Sequence, residues 1–469
     1  MKIKTLVVLL IITSGYISYS QSSEKWKLIT GSALLENHSY KVLERICDEC
    51  GGRLMGSASN KKAISILREE LLDLGINSVE EAFDTPVWER GEDNITVTYP
   101  YIRRLKAVAM GYVDSVPPIK GDLVYAGYGT DEEFNTANVK GKVVLVTREA
   151  PREKAALTSV EFISNAIKYG ARAILFISDK TGNIAIARAG NFKGERVNIP
   201  AFNITCEEGK WLQRLCEKNI VPRLSVTTRS HYKTGMSSNV VVKFRGKVAK
   251  KIVVGAHIDS WDMGQGAVDN GQGTAILFEI ARLLSIYSPQ NYYSIELVWF
   301  NGEELGLIGA GKYVDMHKND SIIAMINMDM TGTPTGFNAM GSDEFRPLLE
   351  KLAVNLSGFD IKDGVSSQPW TNSDQMPFIL HGIPTLIVNG HLDEPMYKYY
   401  HESGDTFDKV SIKYISEAAA VICILAVELA NDPAIQYRKL NEDQTIEFLK
   451  KYKLDETLKK QGEWPFKKE

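Results

Sequence analysis

The sequence predicts an α/β protein in which a mixed central sheet is covered by helices on both faces and a smaller α/β unit is inserted ahead of most of it. Three observations carry this expectation. From "SSNVVVKFRGK" onward, near-continuous apolar strands alternate with segments of helical period, the pattern of a sheet buried on both sides. Between about 117 and 231 the texture changes to brief β-rich runs around one helix. At 469 residues the chain is too long for a single ordinary core.

The first segment differs in kind from the rest. "MKIK" supplies positive charge, "TLVVLLII" an apolar stretch and "SGYISYSQ" a small, polar exit, which reads as a secretory signal peptide over residues 1–20 with cleavage near Ser20 or Gln21. No later run approaches the roughly 18 apolar residues that a membrane span needs, so export as a secreted or periplasmic protein is expected. "SASNKKAISILREELLDLGI" opens on polar residues, repeats apolar ones at helical spacing and ends on Gly, predicting an amphipathic helix near 59–74. "NITVTYPYIRRLKAVAM" and "GDLVYAGYGT" follow as short strand-like runs, broken by the prolines of "VDSVPPIKG".

Within the insert, "GKVVLVTRE", "GARAILFISD" and "VNIPAFNIT" surround the helical "SVEFISNAIKYG". No cluster of ligand-type side chains interrupts them, so this unit is expected to carry no chemistry of its own. The alternation then runs as strand "KIVVGA", helix "GTAILFEIARLLSIYS", strand "SIELVWF", helix "GLIGAGKYVDMH", strand "IIAMINM", helix "FRPLLEKLAVNL", strand "IPTLIV" and helix "KYISEAAAVICILAVELA". Residues 434–469 are charged and helix-prone, predicting a helical extension on the surface.

A net charge of −3 gives no electrostatic basis for binding nucleic acid or an anionic membrane. Five cysteines, among them the pair in "CDEC" at 47–50, are too few and too scattered for a disulfide framework, and no second pair or His cluster completes a tetrahedral zinc site. The sequence also lacks His-Glu-x-x-His, Gly-x-Ser-x-Gly and a P-loop.

In a doubly covered sheet, ligands bind beyond the carboxyl ends of the strands. The residues at those positions are His257, Asp259, Asp262 and Asp269 after "KIVVGA"; Glu303 and Glu304 after "SIELVWF"; and Asp329 after "IIAMINM". His391, Asp393, Glu394, His401 and Asp405 follow "IPTLIV". Each has a structural explanation alone: a strand-end His-x-Asp is commonly a hydrogen-bonded pair, an adjacent Glu pair is commonly solvated, and an Asp can cap a turn. Together, clustered carboxylates repel one another and lose hydration, a conflict that a pair of divalent cations removes. Imidazole and carboxylate without thiolate suit zinc with open positions.

"HIDSWDMGQGAVDNG", "FNGEELGLIGAGKYV", "INMDMTG" and "YHESGDTFDKV", in that order, resemble the dizinc exopeptidase family that includes bacterial leucine aminopeptidases and glutamate carboxypeptidases; "GGRLMGSASNKKA" resembles its N-terminal segment. The resemblance implies the zinc exopeptidase fold, with residues 21–116 and 232–433 forming a discontinuous peptidase domain and 117–231 a protease-associated-like insert. It implies two zinc ions: Asp269 bridging both, His257 and Asp329 completing one, Glu304 and His401 the other. Glu303 is then the general base and Asp259 the carboxylate that orients the His257 imidazole, with Asp405 a support for His401. Many relatives carry Asp where this chain has Asn270, a position that is not a ligand. The resemblance further implies a cis peptide between Asp269 and Asn270, and a homodimer.

The function expected is that of a secreted metallo-exopeptidase hydrolysing dipeptides or short peptides by metal-bound hydroxide, with an aminopeptidase acting on longer peptides as the alternative. A non-catalytic binding protein on the same fold and a one-zinc cyclase are the remaining readings; the first requires lost ligands, the second a single ion. Trp261, Asn372, Ser373 and Asp374 are the residues placed near the crevice to recognise a peptide terminus, and Asp262 is expected to be loop structure.

Overall fold

The computed structural model describes residues 24–149, 157–435 and 437–467. The segment read as a signal peptide, residues 1–20, lies outside them. No helix among the described residues is long and apolar enough to cross a membrane.

Sixteen strands among the described residues form two eight-stranded mixed sheets. In chain order they are β1 (Val79–Glu89), β2 (Asp93–Tyr99), β3 (Arg103–Leu105), β4 (Ala107–Ala109), β5 (Val116–Tyr125), β6 (Val143–Thr147), β7 (Ala173–Ile177), β8 (Ala201–Ile204), β9 (Arg223–Thr228), β10 (His231–Phe244), β11 (Val248–His257), β12 (Tyr293–Phe300), β13 (Ile322–Asn327), β14 (Thr333–Asn338), β15 (Gly364–Ser366) and β16 (Thr385–His391). The first sheet has the order β1-β10-β12-β11-β13-β16-β14-β15 and the second β3-β2-β9-β5-β6-β7-β8-β4.

The four central strands of the first sheet, β12, β11, β13 and β16, are parallel, with antiparallel β10 and β14 beside them. Alternation along these strands feeds two cores. Val240, Val242, Ile252, Val254, Ile295 and Leu297 join the helices Gln272–Tyr287 and Ile412–Asn431 on one face. Val241, Val253, Val298 and Phe300 meet Ala310, Tyr313 and Phe378 on the other. Helix Ala58–Asp73 occupies the segment predicted near 59–74, its first turn capped by the Ser57 side chain, which accepts from Asn60 N–H.

β1 and β10 pair antiparallel in unbroken register from Val79 against Val241 to Glu89 against His231. The chain therefore leaves the first sheet along one strand and returns along its neighbour, and the second sheet is built between them. That sheet starts at β2, so it spans 93–228 and takes in the short runs ahead of residue 117 as well as the predicted segment 117–231.

The extension 434–469 is not a surface appendage. Helices Glu442–Lys451 and Asp455–Gln461 bury Leu449 and Leu458 completely in a cluster with Leu307, Met340, Met376 and Ile379. A few apolar residues, widely spaced among lysines and acids, suffice for this because each is fully covered on docking.

Candidate metal centre

Because β11, β12 and β13 are parallel neighbours, their carboxyl ends open at one edge: His257 is level with Phe300, and Asn327 with Gly255. The residues just beyond these ends reach the same place. His257, Asp269 and Asp329 form one group, and Asp269, Glu304 and His401 another, each with its donor atoms within 4.8 Å of one another. Asp269 belongs to both. One of its carboxylate oxygens lies 3.3 Å from His257 Nε2 and the other 3.0 Å from His401 Nε2; Asp329 is 3.5 Å from the first imidazole and Glu304 3.0 Å from the second.

Both imidazoles are turned so that Nε2 faces the carboxylates. His257 Nδ1 donates to the backbone carbonyl of Asp259 at 3.1 Å, and His401 Nδ1 to the carbonyl of Ala187 at 3.1 Å. A carbonyl only accepts, so in each ring Nδ1 carries a proton and Nε2 is the nitrogen turned to serve as a metal ligand once its own proton is displaced. His257 Nε2 is buried without any hydrogen bond.

The donor set fits a pair of divalent cations. Three buried or half-buried carboxylates around two imidazoles leave an excess of negative charge out of water, and protons otherwise have to fill the role. Glu304 is pushed up to about 7, first by burial and then by the charge of Asp269. Glu303 is raised well above the ordinary carboxylate value by burial, with Asp329, Glu304 and Asp374 adding to it against the pull of His257. Asp374 is raised likewise, fully buried with neither carboxylate oxygen partnered. Burial works to lower His401, but the charge of Glu304 and the contact with Asp269 outweigh it and carry the ring to about 9.

The scaffold around the centre departs from expectation at several positions. Asp259 holds the His257 ring with its backbone; its carboxylate lies farther away, at 3.6 Å from Nδ1, and accepts from the Glu303 N–H at 3.2 Å. Asp405 supports Asp269 and not His401: its two oxygens accept from Val268 and Asp269 N–H at 2.7 and 3.0 Å. Asp262 pairs with Arg90 through two contacts, 2.8 and 3.1 Å, that tie the loop to the segment after β1. His391 and Asp393 lie exposed beside each other, and neither belongs to the two groups. The Asp269–Asn270 peptide is cis, and the Asn270 side chain bonds Met328 O, Gly273 N and Met330 N.

Two features escaped sequence reasoning. Arg53, from "GGRLMGS", is fully buried and donates to the carbonyls of Ile258, Gln265 and Gly266, fixing the loop between His257 and Asp269. The inserted unit is likewise not inert, because Ala187, in its connection between β7 and β8, braces His401. His401 itself sits in the left-handed region (φ 59°), where a non-glycine residue persists only if its surroundings hold it.

A pocket of about 260 Å³ opens beside the centre. It is lined by Trp261, Glu303, Glu304, Leu307, Thr371, Asn372, Tyr400 and His401, by Arg188 and Phe192 of the inserted unit, and by Gln461 and Glu463 of the C-terminal extension. Gly306 allows Phe192 to approach: its φ is +121°, and a Cβ there would stand 2.4 Å from Phe192 O. Trp261 Nε1 is buried without an acceptor, and Ser373 is occupied by Asn327. A larger groove of about 450 Å³, between Trp26 and Phe359, contains none of the candidate ligands.

Residues 239–426 match Peptidase family M28 and residues 119–212 match the PA domain. The chain is 28% identical over 412 residues to carboxypeptidase Q of Mus musculus, covering 84% of this chain and 86% of that protein. It is 26% identical over 407 residues to aminopeptidase YwaD of Bacillus subtilis, covering 83% and 84%. Two solved structures share the fold: the Peptidase M28 precursor of Shewanella amazonensis, with TM-score 0.78 at 22% identity over 90% of this chain and 99% of that one, and a zinc aminopeptidase of Bacillus subtilis, with TM-score 0.68 at 23% identity over 87% and 98%.

Proposed function

From a chain whose residues 239–426 belong to Peptidase family M28 and follow a PA domain, we propose an exported, two-zinc exopeptidase that hydrolyses dipeptides or short peptides. His257 and Asp329 would hold one zinc and Glu304 and His401 the other, with Asp269 contributing to both groups. The observation that carries this reading is the division of the Asp269 carboxylate, one oxygen toward each imidazole. The pocket of about 260 Å³, walled at one end by Gln461 and Glu463, suits a short substrate.

Zinc, when bound, supplies Lewis-acid polarisation of the scissile carbonyl and lowers the pKa of water to about 7. The protein supplies placement and proton transfer. Glu303 faces the pocket next in sequence to Glu304, its backbone anchored by the Asp259 carboxylate. Its carboxylate takes the proton of the attacking water and returns it to the leaving amine, a role for which a buried acid with a raised pKa is suited. Trp261 Nε1 offers a donor with no partner among the described residues. Asp405 and Arg53 hold the backbone leading into Asp269, so that ligands from separate strands keep a fixed geometry.

The deciding experiment measures zinc per chain together with turnover of a free dipeptide, its N-acetyl form and its C-amide. Two zinc ions, activity lost on chelation and restored by zinc, and slower turnover of both blocked forms are expected. Full activity after exhaustive chelation removes the metallopeptidase reading, and equal rates on all three peptides remove the dipeptidase assignment.

A further inference from the structure

The match to Peptidase family M28 ends at residue 426, yet the pocket does not. Its outer wall comes from the extension that follows. Leu458 is buried against the peptidase core, the Thr158 hydroxyl donates to Lys460 O at 3.4 Å, and the chain turns back at Gly462 (φ +75°), where Glu463 N–H donates to Leu458 O at 2.8 Å. This turn brings Glu463 into the pocket lining.

Of the carboxylates in that lining, Glu304 belongs to a candidate metal group and Glu303 stands beside it. Glu463 is the remaining one, and its carboxylate makes no hydrogen bond and no ion pair among the described residues, Lys193 acting on it only at longer range. The pocket's guanidinium, that of Arg188, is turned to Asp179 at 3.6 Å. Burial pushes the Glu463 carboxyl up to about 7 against a weaker opposite pull from Lys193. A carboxylate drawn out of water without a partner is destabilised, and a cation arriving with the substrate recovers the lost interaction.

We propose that Glu463 is a specificity-determining residue that holds an ammonium group of the peptide substrate, either its free α-amino group or a basic side chain. The assignment rests on the peptidase reading above. A neutral peptide of the same shape leaves the half-buried carboxylate unpaired in the pocket wall and binds less well, which is how a polar group drawn partly out of water discriminates between otherwise similar ligands.

The test uses the full zinc-loaded chain and its Glu463→Gln and Glu463→Asp variants on two matched pairs of dipeptides: lysine against norleucine, and free amine against N-acetyl. In the wild type one pair shows a preference for the ammonium-bearing member. Glu463→Gln lowers that kcat/KM ratio about tenfold, through KM, the size expected of one hydrogen bond to a charged group, and Glu463→Asp retains part of the preference. The pair that responds identifies the source of the ammonium. Ratios that are near one in the wild type, or that Glu463→Gln leaves unchanged in both pairs, overturn the proposal. Calorimetry in a Glu303→Gln background reads the same contact without turnover: adding Glu463→Gln weakens binding of the preferred dipeptide about tenfold, and an unchanged Kd overturns the assignment. A wild-type chain that binds these peptides but hydrolyses none fails the peptidase reading, and the calorimetric comparison still decides Glu463.

Discussion

Ala187 and His401 are bonded to each other in both directions. The Ala187 N–H donates to the His401 carbonyl at 2.9 Å, and His401 Nδ1 donates back to the Ala187 carbonyl at 3.1 Å. One residue belongs to the inserted unit and the other to the candidate metal centre, so the orientation of an imidazole depends on a segment that carries no ligand. Ala187→Pro removes the N–H and is expected to weaken zinc binding by about 10- to 100-fold, the usual effect of losing a ligand's outer support. Competition with a chromogenic chelator measures it; unchanged affinity contradicts the coupling.

Glu303→Gln keeps the size of the side chain and removes its basicity. The expected result is a kcat lower by about 10²- to 10⁴-fold with zinc content unchanged, read by steady-state kinetics and metal analysis on one preparation. A variant retaining more than a tenth of wild-type turnover rules out Glu303 as the base.

Arg53→Met leaves the carbonyls of Ile258, Gln265 and Gly266 without their shared donor in a buried place. A loss of about 3 kcal/mol in urea unfolding is expected, with weaker zinc binding because the same loop presents Asp269. A variant as stable as the wild type shows that the guanidinium does not hold the loop.

Lys251 is 3% exposed and lies 2.8 Å from Glu296, 7% exposed. Burial works to raise the Glu296 carboxyl, but the charge and hydrogen bond of Lys251, together with a bond from Tyr313, outweigh it and hold the group below its ordinary value of 4.5. A carboxyl lowered by folding contributes stability above that ordinary value and loses it as pH falls through the depressed one. Lys251→Met is therefore expected to cost about 3 kcal/mol at neutral pH and to flatten the loss of stability between pH 5 and pH 3. Unfolding midpoints at several pH values test both; an unaltered acid slope excludes the pair as its source.

The central strands are legible because burial on both faces writes itself as uninterrupted apolar runs, and three of them bring the site residues in: β11 ends on His257, β12 on Phe300 shortly before Glu303, and β13 on Asn327 shortly before Asp329. The convergence of side chains from separate segments followed from that placement. The β1–β10 ribbon is harder to read: the first half of β1 is mostly exposed, it contains Pro86, and its partner lies more than 140 residues away. Ala187 acts through its backbone, and an alanine announces nothing of that kind. Asp405 was attached to the wrong neighbour because proximity in sequence to His401 says nothing about which N–H groups a folded carboxylate meets. Glu463 was hidden among lysines and acids, where a single unpaired charge has no signature until the chain has turned back on itself.

Asp269 presents its two oxygens to opposite neighbours, so occupancy on one side cannot be independent of the other. On the proposed two-zinc reading, the first ion to arrive would fix the rotation of the carboxylate and cancel part of its charge, and the second would meet a ligand already oriented but less basic. A half-loaded protein would then be a chemical species of its own, not an average of empty and full molecules, and its activity would not have to lie midway between theirs.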